Sequence, residues 1–275
     1  MPKGKTDASP YKVQVLDRSL AIIDALADAR DDASLAELAE KVKLHKSTVH
    51  RLTSILERHR IVERDTMSGR YRLGLRLFEL GNIAMGRFNI RGRAHPHLEK
   101  LLYEVDETVH LCALDAGEIL YLDKMEPVRS VRMASRIGRR NPVHCTSVGK
   151  AILAFLPESE VDDILRQHGL KRLTAETITT PAELKADLKL IRDRGYAVDN
   201  EENEEGVRCI GAPVLDHSGR PIAAISISAP SFRLPMDKVP TVTASVCHAA
   251  LALSQKSDYQ PPPRRSNRSA AKVVS

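Results

Sequence analysis

Two groups of polar side chains in this 275-residue sequence have types and spacings that could do chemistry. The first lies in KSTVHRLTSILER, residues 46–58. At 100° per residue, Val49, Leu52 and Leu56 fall together with Thr53 beside them, and Ser47, His50, Arg51, Ser54 and Arg58 fall on the opposite side. Those five are two hydroxyls, an imidazole and two guanidiniums, and none is acidic. Such a face suits the major groove of double-stranded DNA, where hydroxyls and arginine hydrogen-bond to base edges and phosphates. Lys46, Thr48 and the first N–H groups of that helix are placed for a neighbouring phosphate. The bland reading is a solvated, mildly basic helix face, which charge alone would not exclude.

The second group is spread over three segments. In NPVHCTSVGKAILAFL (141–156), Thr146-Ser147-Val148-Gly149 precedes a helix, so its N–H groups are free to bind an anion. GYAVDNEENEEGVRCIG (195–211) carries Asp199, four glutamates and Cys209. In IAAISISAP (222–230), strand alternation turns Ile225 and Ile227 one way and Ser226 and Ser228 the other. The two hydroxyls either line a polar pocket or sit on a solvated sheet face. Cys209 alone reads as a small buried hydrophobe, and the glutamate run 201–205 as a solvated loop.

Catalytic chemistry finds less support. His144 and Cys145 are adjacent, so on a strand they point to opposite faces and make a poor dyad. Asp199 and Cys209 lack a third, orienting base. Cys112, Cys145, Cys209 and Cys247 stand far apart, with no pair at zinc spacing. No catalytic residue, metal or cofactor is expected.

The elements that must position these groups follow from periodicity and caps. Leu16, Leu20, Ile23 and Ala27 recur at helical spacing. Ser34 and Glu37 form an S-x-x-E capping box opening a short helix with Leu35, Leu38, Ala39 and Val42. The turn Lys43-Leu44-His45 leads into the helix 46–58. Residues 61–64 and 71–73 read as two short strands with Ser68-Gly69 in the turn, and Arg70 and Arg72 flank Tyr71 on this ribbon. This order is that of a winged helix-turn-helix. Ser34, Arg70 and Tyr71 join Lys46, Ser47, Thr48, His50, Arg51 and Ser54 as expected DNA contacts.

The chain therefore divides into a flexible arm (1–12), a DNA-binding domain (13–73), a linker helix (74–92) that dissolves near Gly86–Gly92, a second domain (93–257) and a disordered tail (258–275). Beyond 93, a helix with Leu98, Leu101, Leu102 and Val105 leads to hairpins at 108–123 and 207–229. Helices at 148–156, 160–167, after Pro181 and around Val239–Leu253 make an α+β domain on an antiparallel sheet. Formal charge follows the same division: residues 1–93 carry +6, 94–257 carry −3 and 258–275 carry +3. Only the first module calls for a polyanion. Hydrophobic content of 42% and charged content of 28% exclude collagen, wholly disordered and multi-span membrane classes. With no secretory segment and no apolar run of about 18 residues, a cytoplasmic protein without membrane contact is expected.

Residues 13–80, through VQVLDRSLAIIDAL, LAELAEKVKLHKSTVHRLTSIL and GRYRLGLRLFELG, resemble the DNA-binding domain of the IclR family of bacterial transcriptional regulators. That family usually has proline where His45 stands. The resemblance continues over roughly 13–256 and implies that the second domain (93–257) is a GAF-like, effector-binding domain. The family's H-x-[ST]-x-x-G-K-A falls on His144 to Ala151, its D-x-E-E…G-x-R-C on Asp199 to Cys209, and its S-[IV]-S on Ser226 and Ser228. This implies that Ser147 and Val148 N–H groups, with Thr146, grip a ligand carboxylate. Asp199, Cys209, Ser226 and Ser228 would hold its other polar groups, and Met133 would supply an apolar wall. DNEENEEGVRCIGAPVLD and RAHPHLEKL are similar to the KdgR branch of the family, which implies a sugar-acid or keto-acid effector.

The expected function is thus a sequence-specific regulator, a repressor, controlled by a small carboxylate. It would act on a palindromic operator as a homodimer or dimer of dimers, with the helix near 74–86 joining protomers. The alternatives are an activator of aromatic-acid catabolism from the same family, a cysteine-dependent enzyme with a DNA-binding module, and a non-specific architectural DNA binder.

Overall fold

The computed structural model describes residues 13–29, 31–86, 90–130 and 133–255. The expected arm at 1–12 and tail at 258–275 lie outside the described residues. The chain separates into two compact units, Met1–Asn89 and Ile90–Ser275.

In the first unit, helices α1 (Gln14–Ala27), α2 (Leu35–Lys41) and α3 (Lys46–Arg58) precede strands β1 (Val62–Arg64) and β2 (Tyr71–Leu73), and α4 (Leu75–Gly86) follows. The capping box forms as its spacing predicts: Glu37 N–H donates to Ser34 Oγ, and Ser34 N–H donates to Glu37 Oε2 at 2.7 Å. The core is Ile22, Ala25, Leu26, Ala33, Leu38, Ala39, Val49, Leu52, Val62 and Tyr71. The apolar row read on α1 faces the other way. Leu16 and Leu20 are 60% and 58% exposed, while Ile22, Ala25 and Leu26 fill the core. Both sides of this helix are apolar, so periodicity alone could not choose between them. Gly74 is fixed by crowding, because a Cβ there would lie 2.2 Å from the Arg60 carbonyl oxygen.

Two helices share the expected linker region. After α4, α5 (Ile90–Val105) begins before Gly92 rather than after it; residues 87–89 lie outside the described residues. In the second unit β3 (Thr108–Asp115), β4 (Glu118–Met125), β5 (Arg140–Pro142), β6 (Ala197–Asn200), β7 (Val207–Leu215) and β8 (Pro221–Pro230) form one antiparallel sheet, ordered β5-β4-β3-β8-β7-β6. The two edge strands escaped the sequence reading, being three and four residues long without alternation of their own. Helices α5 and α9 (Val239–Gln255) pack on one face; α6 (Ser147–Leu153) packs on the other, backed by α8 (Pro181–Arg194), with α7 (Glu158–His168) in the same apolar core. Residues 143–146 form no strand. His144 and Cys145, expected to diverge on one, are both buried in this bend.

Candidate functional site

Helix α3 divides as its wheel predicts. Val49, Leu52 and Thr53 are buried, and Lys46, Ser47, His50, Arg51, Ser54 and Arg58 are exposed, with Thr48 half-buried between them. Thr53 Oγ1 donates to the Val49 and His50 carbonyls, which hides its hydroxyl in the core. Ser54 Oγ donates to the His50 carbonyl at 2.8 Å and keeps its lone pairs outward. Arg51 has no ion pair among the described residues. His45 caps the helix at φ −62°, ψ 140°, close to the φ a proline would impose.

The other three residues expected at the DNA surface are engaged internally. Tyr71 is 2% exposed and belongs to the core. Its N–H donates to the Ala33 carbonyl at 2.7 Å, Ala33 N–H returns the bond at 2.8 Å, and Arg64 covers its ring. Arg70 donates to Asp32 O at 2.6 Å and to Glu37 Oε2 at 2.8 Å. Ser34 is occupied as the α2 cap. On β2 the alternation therefore presents Arg72, paired with Glu63 at 3.3 Å, on the outer side.

The second unit holds a cavity of about 420 Å³ on the α6 side of the sheet. The register puts Cys209 opposite Ser228 and Gly211 opposite Ser226, so both serines face that side, and Ile225 and Ile227 face the other. Ser228 Oγ donates to Cys209 Sγ at 3.0 Å, and both line the cavity, as does Met133. Ser226 is buried beside Gly211, whose backbone lies so close to α6 that a Cβ would meet Ser147 C at 2.8 Å and Val148 N at 3.0 Å. Thr146 caps α6 and donates its hydroxyl to Pro142 O. Thr146, Ser147, Val148, Asp199 and Ser226 thus stand behind the wall, not among the residues lining it.

Behind that wall is a buried ionic cluster. Lys150, 1% exposed, donates to Asp187 Oδ2 at 2.9 Å and to Glu202 Oε1 at 2.5 Å. Asp199 Oδ1 accepts the Glu202 and Asn203 N–H groups at 2.8 and 3.3 Å. Burial, then the Glu202 charge, pushes the Asp199 carboxyl up to about 7. Glu202 is not in a solvated loop as its neighbours implied, because Lys150 holds it inside. Glu201 leans on Arg208, and only Glu204 and Glu205 are exposed. Burial raises the Cys209 thiol well above its ordinary range and Cys145 to about 12.

The sequence reading missed His110, Tyr121, Ser135, Arg139, Asn141 and Asn203 in the cavity wall. His110 Nε2 sits 2.7 Å from Ser135 Oγ, and burial, helped by Lys124, drives the imidazole down to about 3, so it is neutral. Lys124 Nζ anchors the Met133 and Ser135 carbonyls at 2.8 and 2.6 Å. A lone histidine inside the apolar run of β3 was the available signal. Lys150 gave a similar one, a lysine opening the apolar stretch AILAFL.

Residues 15–66 match the IclR helix-turn-helix domain, and residues 83–255 match the bacterial transcriptional regulator IclR C-terminal domain. The chain belongs to the IclR family. It is 39% identical over 253 residues to the HTH-type transcriptional regulator KdgR of Dickeya chrysanthemi, covering 92% of this chain and 83% of that protein. Its fold matches the crystal structure of Thermotoga maritima IclR with a TM-score of 0.76 at 39% identity, over 90% of this chain and 100% of that one. It also matches an IclR homologue of Microbacterium hydrocarbonoxydans complexed with 4-hydroxybenzoate, at a TM-score of 0.79 and 26% identity, over 89% and 99% of the two chains. As an IclR-family member the chain is a DNA-binding transcriptional regulator with a C-terminal effector-binding domain. Among the described residues no helix is long and apolar enough to cross a membrane.

Proposed function

We propose that this IclR-family protein is a cytoplasmic repressor that reads a palindromic operator through α3 and changes its operator occupancy when a small carboxylate enters the cavity of the second unit. The observation that carries the reading is the pairing, in one chain, of an exposed acid-free set on α3 with a cavity whose walls are polar and whose one lining thiol, Cys209, is held protonated. Lys46, Ser47, Thr48, His50, Arg51 and Ser54 are the DNA-contacting set. Ser34 and Arg70 act behind it by fixing α2 and the ribbon, and Tyr71 acts from the core. One module makes too few contacts for tight specific binding, so two copies act together. Leu16 and Leu20 on α1, with Leu75, Phe78 and Ile83 on α4, are exposed apolar side chains suited to covering one another in a homodimer or dimer of dimers.

In the cavity, Met133, Cys209 and Ser228 touch the effector directly. Thr146, Ser147, Val148, Asp199 and Ser226 form the supporting layer that a small shift of the wall brings into contact. A carboxyl near 7, as at Asp199, carries a proton for much of the time at neutral pH and can donate it to a bound carboxylate. Thiols pushed upward are the opposite of activated nucleophiles, which supports binding rather than turnover and needs no metal or cofactor. The likeness to the KdgR of Dickeya chrysanthemi favours a sugar acid or keto acid. The 4-hydroxybenzoate complex of the Microbacterium homologue keeps an aromatic acid, and with it an activator of aromatic-acid catabolism, as the second reading.

A thermal-shift screen of keto, sugar and aromatic acids, repeated as gel shifts on the gene's own upstream DNA, tests both halves. Arg51→Ala should lose about 1–3 kcal/mol of operator affinity, roughly 5- to 150-fold, with effector affinity intact. Equal operator affinity would remove Arg51 from the interface, and metabolite turnover by the purified protein would overturn the repressor reading.

A further inference from the structure

Two features of the cavity lining differ chemically. At one, Ser228 Oγ donates to Cys209 Sγ, a weak acceptor that a carboxylate would displace. The other is the chain leading into β5, where the exposed Arg139 lines the cavity. Among the described residues no other arginine or lysine lines it, and the one histidine that does, His110, is kept uncharged by burial.

Arg139 also has no carboxylate partner among the described residues. Its neighbour Arg140 shows what a structural arginine does here: it is paired with Asp115 and lies 4.0 Å from Glu118. The Arg139 backbone, by contrast with its free head, is tied down. Tyr121 N–H donates to the Arg139 carbonyl at 3.1 Å, Gly138 N–H donates to the Tyr121 carbonyl at 2.8 Å, and Arg139 N–H donates to Arg136 O at 3.1 Å. An exposed guanidinium with no ion partner among the described residues, carried on an anchored backbone beside a polar cavity, can close on a carboxylate with bidentate hydrogen bonds.

We propose that Arg139 is the specificity-determining residue of this cavity and that its ligand is a dicarboxylate, with one carboxylate at the Cys209–Ser228 floor and the second on the Arg139 guanidinium. The assignment rests on the effector-pocket reading above and narrows it to acids carrying two anionic ends. The size of the cavity agrees. About 420 Å³ accommodates a six-carbon chain and leaves a three-carbon acid mostly unsupported. Glu204, the one carboxylate among the described lining residues, repels an anion and leaves Arg139 as the favourable second anchor.

Calorimetry on the full chain with four probes tests this: adipate against hexanoate, and glucarate against gluconate. Each diacid should bind wild type about tenfold or more tightly than its monoacid partner, the gain of a charge-assisted contact at a partly exposed site. Arg139→Gln should erase that gap by weakening the diacids far more than the monoacids, and Arg139→Lys should restore part of it. An unchanged far-UV circular dichroism spectrum and unfolding midpoint verify that the variants fold. Equal binding of diacid and monoacid by wild type overturns the proposal, as does a gap that survives in Arg139→Gln. An equal loss for both acids in that variant overturns it too, by making Arg139 the holder of the first carboxylate. If none of the four binds but the wider acid screen finds an effector, the dicarboxylate assignment falls and the effector reading stands. If the wider screen is also silent, both fall.

Discussion

Helix α3 and the cavity of the second unit solve the problem of presenting polar groups in opposite ways. On α3 the functional side chains are exposed and locally placed; a small apolar stripe beneath them sets their direction. Around the cavity the polar groups come from β3, β4, β5, β7, β8 and the loops leading into β5 and β7; His110, Tyr121 and Ser228 are buried, and the wall rests on the buried cluster behind it. The first arrangement tolerates change residue by residue, because each exposed group is solvated until DNA arrives. The second is a connected network in which removing one member leaves another buried and unpaired.

The sharpest way to break this contrast is at Lys150. Lys150→Met takes away the one cation that, among the described residues, lies within 4 Å of Glu202, which is 6% exposed and has one oxygen already without a partner. Breaking a buried pair in this way costs about 3–5 kcal/mol. The expected outcome in urea unfolding of the full chain is a loss of that size. A loss below about 1 kcal/mol would mean that the cluster is as tolerant as a surface pair. Substitution of exposed Arg51 by alanine, in the same assay, should move stability by no more than about 0.5 kcal/mol.

The same contrast explains what could be read from the sequence. Helix α3 was legible because its period, its cap region and its partner helix all lie within about 25 residues, where local rules apply. The alternation of β8 also separated Ser226 and Ser228 from Ile225 and Ile227 correctly, since period two needs no knowledge of neighbours. What alternation could not supply was register. Only the pairing of His110 with Ser226, and of Cys209 with Ser228, decides which polar groups share a wall. Tyr71 failed for a related reason. Flanking arginines made it look like part of an outer ribbon, but the bridge to Ala33, about 40 residues earlier, turns its ring inward. The α1 row failed because both faces are apolar; Leu16 and Leu20 satisfy the helical period as well as Ile22 and Leu26 do.

A milder test uses pH. The Asp199 carboxyl is raised to about 7 in the folded chain by burial and by Glu202, so between its ordinary range near 4 and about 7 the folded state holds the proton that the unfolded state has lost. Its contribution to stability is therefore full at low pH and falls as pH rises through that window, by at most about 1.4 kcal/mol per pH unit. His110 acts in the other direction. Held down to about 3, it stays neutral while the unfolded chain protonates, so stability rises with pH up to the ordinary histidine value near 6.5. The two slopes partly cancel in wild type. Asp199→Asn keeps an acceptor for the Glu202 and Asn203 N–H groups and removes the titration. Its stability relative to wild type should increase steadily from pH 5 to 7 in the absence of effector, as read from urea midpoints. A constant difference across that range would mean that Asp199 titrates normally.

The smallest expected effect sits where the reading helix begins. The resemblance puts proline at this position in the family, and His45 here holds a φ that a proline would also adopt. His45 holds φ −62°, its carbonyl accepts the Thr48 and Val49 N–H groups at 2.9 and 3.1 Å, and its imidazole makes no capping bond. A proline fits this φ without strain, and no hydrogen bond from the His45 N–H is recorded that it would remove. Restricting the unfolded chain at such a position stabilises by about 0.4–1 kcal/mol. His45→Pro should therefore raise the unfolding midpoint of the first unit slightly while leaving operator affinity within about twofold, since the exposed set on α3 does not move. A fall in operator affinity well beyond twofold, with stability raised as expected, would show instead that the His45 imidazole itself touches the DNA. In that case the reading face would begin one residue before the helix, and the α3 surface would be less self-contained than its periodicity implies.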